Sequence, residues 1–281
     1  MTSHVRWTVR PTLREPVLVA AFEGWNDAGE AATGAVSTLS DAWRANQFAD
    51  IDPEEFFDFT ANRPMVRLVA GTTRHIDWPS NTFSAASVPG TEVDVVLLSG
   101  TEPGLRWRTF CEEILGVAAE LGVRRVVTLG ALLAEVPHTR PVRVVGTSED
   151  EELTARLGLR RSIYEGPTGV TGVLQDACRK QGLSTASLWA AVPTYVSGPA
   201  SPAATLALVE RLTALLEVPF DTTALHGEAE AYRRRIDDVV EEDEDLTAYL
   251  RRLEEDHDDD VAEPADPATF IAEVERFLRD Q

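Results

Sequence analysis

The sequence predicts an α/β fold in three layers, with a mostly parallel or mixed sheet flanked by helices and an acidic helical C-terminal extension. Three observations predict it. Apolar runs short enough for strands alternate with segments in which apolar residues recur every three or four positions. The runs at 17–22, 93–98 and 188–192 are nearly continuous rather than alternating, as in strands covered on both faces. Beyond Asp221 the alternation stops and charge dominates.

Residues 1–16 read as a lead-in. The strand at 17–22 passes through Glu23-Gly24-Trp25-Asn26-Asp27 into a helix over 28–44, in which Ala28, Ala31, Ala32, Ala35, Val36 and Leu39 share one face. Asn26 or Asp27 is placed to accept hydrogen bonds from the free N–H groups of that helix. Residues 52–59 are mixed, and Phe56, Phe57 and Phe59 fit the start of a strand. Residues 65–70 and 74–78 flank Gly71-Thr72-Thr73 as a hairpin, which argues against a purely doubly wound sheet. The strand at 93–98 ends in Ser99-Gly100-Thr101-Glu102-Pro103-Gly104, ahead of a helix over 106–121. A short strand at 125–129 ends at Gly130, and 142–145 offers another before an acidic helix start at 149–152. The loop Gly166-Pro167-Thr168-Gly169-Val170-Thr171-Gly172 opens a helix to Lys180. After the strand at 188–192, Pro202 starts a helix with Ala204, Leu208, Leu212, Leu215 and Leu216 on one side, ending before Pro219.

On this reading the chain divides into an α/β domain over 1–220 and an acidic helical arm over 221–281. Tyr232, Ile236, Val239, Leu246, Leu250 and Leu253 follow a heptad seam in which Asp243 takes one position. Such a helix projects from the body or lies across a neighbouring subunit. Residues 254–263, almost all acidic, read as a linker. Asp266-Pro267 then reads as the cap and first position of a final helix, with Phe270, Ile271, Val274, Phe277 and Leu278 as its apolar stripe.

Composition narrows the function. The net charge is −21, and residues from Glu228 onward hold 20 acidic against 7 basic side chains. A surface this negative repels phosphate backbones, so nucleic acid is not an expected partner. No apolar run is long enough to span a membrane, and no export signal opens the chain, so the expected location is the cytoplasm. Cys111 and Cys178 form no paired motif and read as core residues in a reducing compartment. The five histidines lack metal-ligand spacing, and the acidic run around His257 reads as a solvated face. The one lysine, Lys180, belongs to no P-loop. No metal and no cofactor is expected. There is no Gly-x-Ser-x-Gly elbow, and Ser99 beside Gly100 reads as a turn residue.

Four strings resemble the PAC2 family, the proteasome-assembly-chaperone-2-like proteins, in its actinobacterial type. They are Glu23-Gly24-Trp25-Asn26-Asp27-Ala28-Gly29, the stretch from Gly130 to Pro141, Tyr164-Glu165-Gly166-Pro167-Thr168-Gly169-Val170-Thr171-Gly172, and Val192-Pro193-Thr194-Tyr195-Val196. The near-exclusive use of arginine over lysine suits a high-GC actinobacterial source. The resemblance implies a body similar to nucleoside phosphorylases and hydrolases, and a part in proteasome assembly among archaeal and eukaryotic relatives. Those relatives can dock on proteasome subunits through a hydrophobic–Tyr–any C-terminus. This chain ends Leu278-Arg279-Asp280-Gln281, so that docking mode does not carry over.

Nine polar side chains fall in loops after predicted strands: Glu23, Asn26, Asp27, Thr101, Glu102, Arg106, His138, Arg140 and Tyr195. Parallel neighbouring strands would bring them to one rim. Arg106 and Arg140 suit bidentate binding of phosphate or carboxylate, with Asn26, Asp27, Thr101 and Tyr195 as further ligand contacts. Glu23, Glu102 or His138 suits general acid–base work where burial shifts its pKa. The same side chains also suit plain capping and loop-holding roles. Glycines in the 166–172 loop permit either backbone approach to an anion or close packing of helix on sheet. The leading expectation is a non-enzymatic assembly or protein-interaction factor, chaperone-like and proteasome-related, that forms homo-oligomers. The alternative is an enzyme or binding protein for a nucleoside-like or phosphorylated ligand in a phosphorylase/hydrolase-like pocket.

Overall fold

The computed structural model describes residues 3–262 apart from 70, 158, 160–164, 197 and 199. The final helix expected after Asp266, and Tyr164 of the third string, therefore lie outside the described residues.

Four parallel strands make the centre of the sheet: β2 (Val17–Glu23), β7 (Asp94–Thr101), β8 (Arg125–Ala134) and β10 (Ser184–Pro193). Antiparallel strands extend both margins. On one side lie β6 (Asn81–Ser87), β3 (Asn46–Ile51) and β1 (Val5–Trp7), and on the other β9 (Val144–Ser148). The order across all 8 strands is β1-β3-β6-β7-β2-β8-β10-β9. The mixed α/β sheet agrees with the expectation, and the register Val17↔Val95 with Val17↔Arg125 aligns the starts of the central strands.

Helices cover both faces, because alternate residues of the central strands point to opposite layers. Val19 and Ala21 of β2 lie in one core with α1 (Ala31–Ala42) and α5 (Pro202–Leu216), through Leu39, Leu208 and Leu212. Leu18, Ala20 and Phe22 lie in a second core with α2 (Trp107–Leu121) and α4 (Val170–Lys180), through Phe110, Ile114 and Leu174. Each fully buried Leu or Phe contributes about 1.5–3 kcal/mol of transfer free energy. A seven-residue helix, α3 (Glu151–Leu157), follows β9.

Several local expectations are corrected. Residues 52–59 do not start a strand. Asp52 accepts from Glu54 N, Pro53 opens a 3-10 turn, and Phe56 and Phe57 fill the second core beside Phe110. The lead-in contains β1, and the segments giving β3 and β6 are strands that the sequence masks. Asn46-Gln47 and the Ser- and Ala-rich run at 84–87 lack the β-branched density that marks strands. The expected hairpin is present as β4 (Met65–Val69) and β5 (Thr73–Asp77), a two-stranded sheet of its own.

The arm is two helices rather than one seam: α6 (Thr223–Glu241) and α7 (Glu244–Ala262). Asp243, read as an odd seam position, is the break. Its carboxylate accepts from Asp245 N at 2.9 Å and Leu246 N at 3.1 Å, which caps α7. Tyr232, Ile236 and Val240 are the buried face of α6, packed on Tyr195, Val196, Ala203, Leu246 and Leu250. Val239 is 60% exposed and stands off that face. The acidic run expected as a linker is helical as far as Ala262. The two helices pack back on the body, with Leu225 entering the first core.

Candidate functional site

The polar residues expected on a single rim form two separate sets. The first lies where β2 and β7 end. Thr101 Oγ1 donates to Glu23 Oε2 at 2.9 Å, and Glu102 N donates to Glu23 O at 2.9 Å. Glu102 Oε1 accepts from Asn26 Nδ2 at 2.9 Å and from Val170 N at 2.8 Å. The N-terminus of α4, where the glycine loop offered a place for an anion, is thus occupied by a carboxylate of the chain itself. Gly169 permits this contact, since a Cβ there would overlap the side chains of Asn26 and Glu102. Burial pushes the Glu102 carboxyl above its ordinary value, while its three hydrogen-bond donors pull the other way.

Asp27 faces the other layer. Its Oδ1 accepts from Ala32 N at 2.7 Å and Thr33 N at 3.2 Å, and its Oδ2 accepts from the Thr33 hydroxyl. It caps α1 across the 3-10 turn at 28–30, while Asn26 turns to Glu102. Burial raises the Asp27 carboxyl as well.

The second set clamps the arm. Tyr195 OH accepts from His138 N at 2.8 Å and lies 2.7 Å from Nδ1. On the other side of the ring, Nε2 lies 3.0 Å from Asp237 Oδ1, so the imidazole bridges the phenol and the carboxylate. The His138 side chain is 2% exposed. Arg140 grips α7 through Nε and Nη2 to the two oxygens of Asp258, at 2.8 and 2.7 Å, with Nη1 3.1 Å from Glu254 Oε1. Thr139 Oγ1 donates to the same Glu254 oxygen at 2.5 Å, and Tyr249 OH donates to Glu135 at 3.2 Å. Burial raises the Tyr195 phenol. These residues hold α6 and α7, and the Arg140 fork that would read an incoming anion already holds carboxylates.

Arg106 stands apart from both sets and pairs with Glu55 on the surface. Ser99 is not a turn residue but lies within β7. Cys111 and Cys178 are both buried between α2 and α4, and burial lifts each thiol to about 12. Among the described residues no three His, Cys, Asp or Glu side chains gather as metal ligands. No helix is long and apolar enough to cross a membrane.

Two features escaped the sequence reading. One is a cavity of about 360 Å³ between α4 and the β10–β9 margin, lined by Trp25, Thr147, Gln175, Ser187 and Trp189 among others. The other is the exposure of the expected β4–β5 hairpin, whose Met65, Val66, Leu68, Val69 and Ile76 are exposed together with Trp78. The turn at Gly71-Thr72-Thr73 marks the hairpin in the sequence, and nothing there marks its lack of cover.

The PAC2 family model matches residues 21–240. The chain belongs to the PAC2 family. A PAC2 family protein from Streptomyces avermitilis is 47% identical, with 84% of this chain and 99% of that one covered at a TM-score of 0.78. A proteasome-assembly chaperone homologue from Mycobacterium tuberculosis is also 47% identical, covering 83% of this chain and 99% of its own at 0.77. An archaeal proteasome activator from Pyrococcus furiosus shares the fold at 18% identity and a TM-score of 0.69, with 84% of this chain and 97% of that one covered. No curated protein matches the chain. Among PAC2 features in this chain, the Glu-Gly-Trp-Asn-Asp string builds the first polar set, and the Pro-His-Thr-Arg-Pro string with Tyr195 builds the clamp on the arm.

Proposed function

We propose that this PAC2 protein is a non-enzymatic protein-interaction factor of the proteasome-assembly-chaperone type, and that it self-associates through the β4–β5 hairpin. Family membership supports the chaperone-like role, and so does the similarity to the Mycobacterium tuberculosis proteasome-assembly chaperone homologue. The observation that carries the interaction role is the hairpin itself. Met65 is 69% and Leu68 60% exposed, and apolar residues occur on both faces of the ribbon. An isolated two-stranded ribbon is marginal in water, and a contiguous exposed apolar patch marks a contact surface. The partner we assign is a second copy of the chain. Residues 63–78 carry three arginines against one aspartate, on a molecule of net charge −21. A basic apolar ribbon is therefore complementary to the acidic remainder of another copy. Residence in the cytoplasm belongs to this reading, in keeping with two unpaired cysteines.

The small-ligand alternative in its phosphorylated form has less behind it. Arg140 is held by Asp258 and Glu254, Arg106 by Glu55, and the α4 N-terminus by Glu102. The test of the proposal is solution mass. Full-length chain is expected to sediment as an oligomer, and the double substitution Val66→Asp with Ile76→Asp is expected to shift it to monomer with an unchanged circular dichroism spectrum. A monomeric wild type, or an oligomer untouched by the substitutions, overturns the assignment. Co-purification with proteasome α and β subunits checks the chaperone role separately.

A further inference from the structure

We propose that the cavity between α4 and the β8–β10–β9 margin binds a neutral planar heterocycle with an amide-type edge, of nucleobase size. This stands apart from the protein-interaction role. The two faces of β10 differ in a way that packing alone does not require. Ala186, Leu188 and Ala190 lie in the core beneath α1 and α5. Their alternates Thr185, Ser187 and Trp189 line the cavity under α4. A parallel strand buried on both faces is ordinarily apolar on both. Here the α4 side carries hydroxyls, and neighbouring β8 continues them with buried Thr128 and then Gly130. The volume, about 360 Å³, falls within the range of small-molecule sites.

The polar groups form one directed chain. Gln175 Nε2 donates to Ala186 O at 2.8 Å and to Thr128 Oγ1 at 2.9 Å. Thr128 Oγ1 in turn donates to Ser187 Oγ at 2.9 Å, and Trp189 Nε1 donates to that same oxygen at 2.9 Å. Ser187 has accepted twice, so its own proton is left without an acceptor among the described residues, although the residue is only 8% exposed. Gln175 has spent both amide hydrogens, and its Oε1 accepts from no described residue. The network therefore ends in one spare hydroxyl donor and one spare carbonyl acceptor, on two residues that line the same cavity. Ser187 is buried and Gln175 half-buried, and a buried polar group wants a partner. A lactam or amino-azine edge supplies an acceptor beside a donor and completes both ends.

The walls suit a flat ring. A Cβ on Gly130 would lie 2.6 Å from the Trp189 indole, so the missing side chain lets the indole lie across the strand. Its Nε1 tether to Ser187 fixes the ring there, and Trp25 adds a second aromatic group to the lining. A pre-positioned aromatic surface favours stacking by a planar ligand. The rim disfavours anions. Arg179, the cation of the lining, is held by Asp176 at 2.6 Å and lies 3.7 Å from Glu149.

The experiment is calorimetric titration of full-length protein with hypoxanthine, adenine and uracil, and with indole and inorganic phosphate as controls. At least one heterocycle is expected to bind saturably, while indole, which lacks the paired edge, binds roughly tenfold more weakly or not at all. Phosphate gives no saturable heat. Ser187→Ala is expected to weaken the heterocycle roughly tenfold. Thr147→Phe, which fills the cavity from the strand position paired with Ser187, is expected to abolish binding. Circular dichroism melts confirm that both variants are folded. The proposal is overturned if no heterocycle binds, if phosphate binds in their place, or if binding survives both substitutions unchanged.

Discussion

Single carboxylates set the geometry where β2 turns into α1. Asp27 satisfies two N–H groups of α1 and one hydroxyl, so its loss leaves buried donors unpaired. Asp27→Ala is expected to cost about 1–2 kcal/mol in urea unfolding, and Asp27→Asn, which keeps one acceptor, less than half as much. Glu102 gives a pH signature. Its folded pKa lies above the ordinary 4.5 because burial opposes the charge. Such a group stabilises the fold fully below its unfolded pKa, and that contribution is lost as pH rises through the folded value. Glu102→Gln keeps an acceptor for Asn26 and Val170 but does not ionise. The stability of the variant relative to wild type is therefore expected to rise between pH 4 and pH 7, measured by denaturant titration at each pH. A difference that stays flat or falls would contradict the burial argument. The capping role at Asn26-Asp27 was legible because cap chemistry is local. Which of the two residues caps was not, because Asn26 is drawn to Glu102, which is distant in sequence.

At the scale of elements, legibility followed burial. β2, β7 and β8 announce themselves because both faces are covered, so nearly every residue is apolar. β3 and β6 do not, since they lie toward the margin and pair through small or polar residues with a bulge at Gln47. The arm failed differently. The periodicity of 232–253 was real, but two helices share it, and a cap at Asp243 looks in sequence like a defect in a seam. The acidic stretch after Leu253 reads as a linker in sequence because its counter-charge, Arg140, comes from the loop after β8. The clamp gives a prediction for this element. Asp243→Ala combined with Arg140→Ala is expected to raise amide exchange throughout α7 while leaving the central strands protected. The cap contributes about 1 kcal/mol. The solvent-screened ion pairs of Arg140 add little to it. Exchange rising equally in β2 and β7 would mean that α7 is part of the global folding unit instead.

At the scale of the whole molecule, the body was readable and the site was not. Alternating strands and helices imply crevices at strand ends, but not which loops share one. The structure separates the Glu23–Glu102 set from the His138–Arg140 set, because the β8 loop is turned toward the arm and away from α4. The cavity under α4 was invisible for a related reason. Thr128, Gln175 and Ser187 are ordinary residues in sequence and meet only through the pairing of β8 with β10.

The hairpin and the arm also sit at opposite ends of this architecture. The ribbon joins β3 to β6 at one margin of the sheet, and α7 docks on loops from β8 and β10 near the other. The ribbon itself is basic, with Arg63, Arg67 and Arg74 against Asp77, and α7 is acidic. If ribbon meets arm, each protomer offers two different surfaces, and successive copies rotate until a circle closes or run on as a fibre. An assembly built this way is expected to be a cyclic ring and not a face-to-face pair, and its subunit count is open to direct reading by mass photometry.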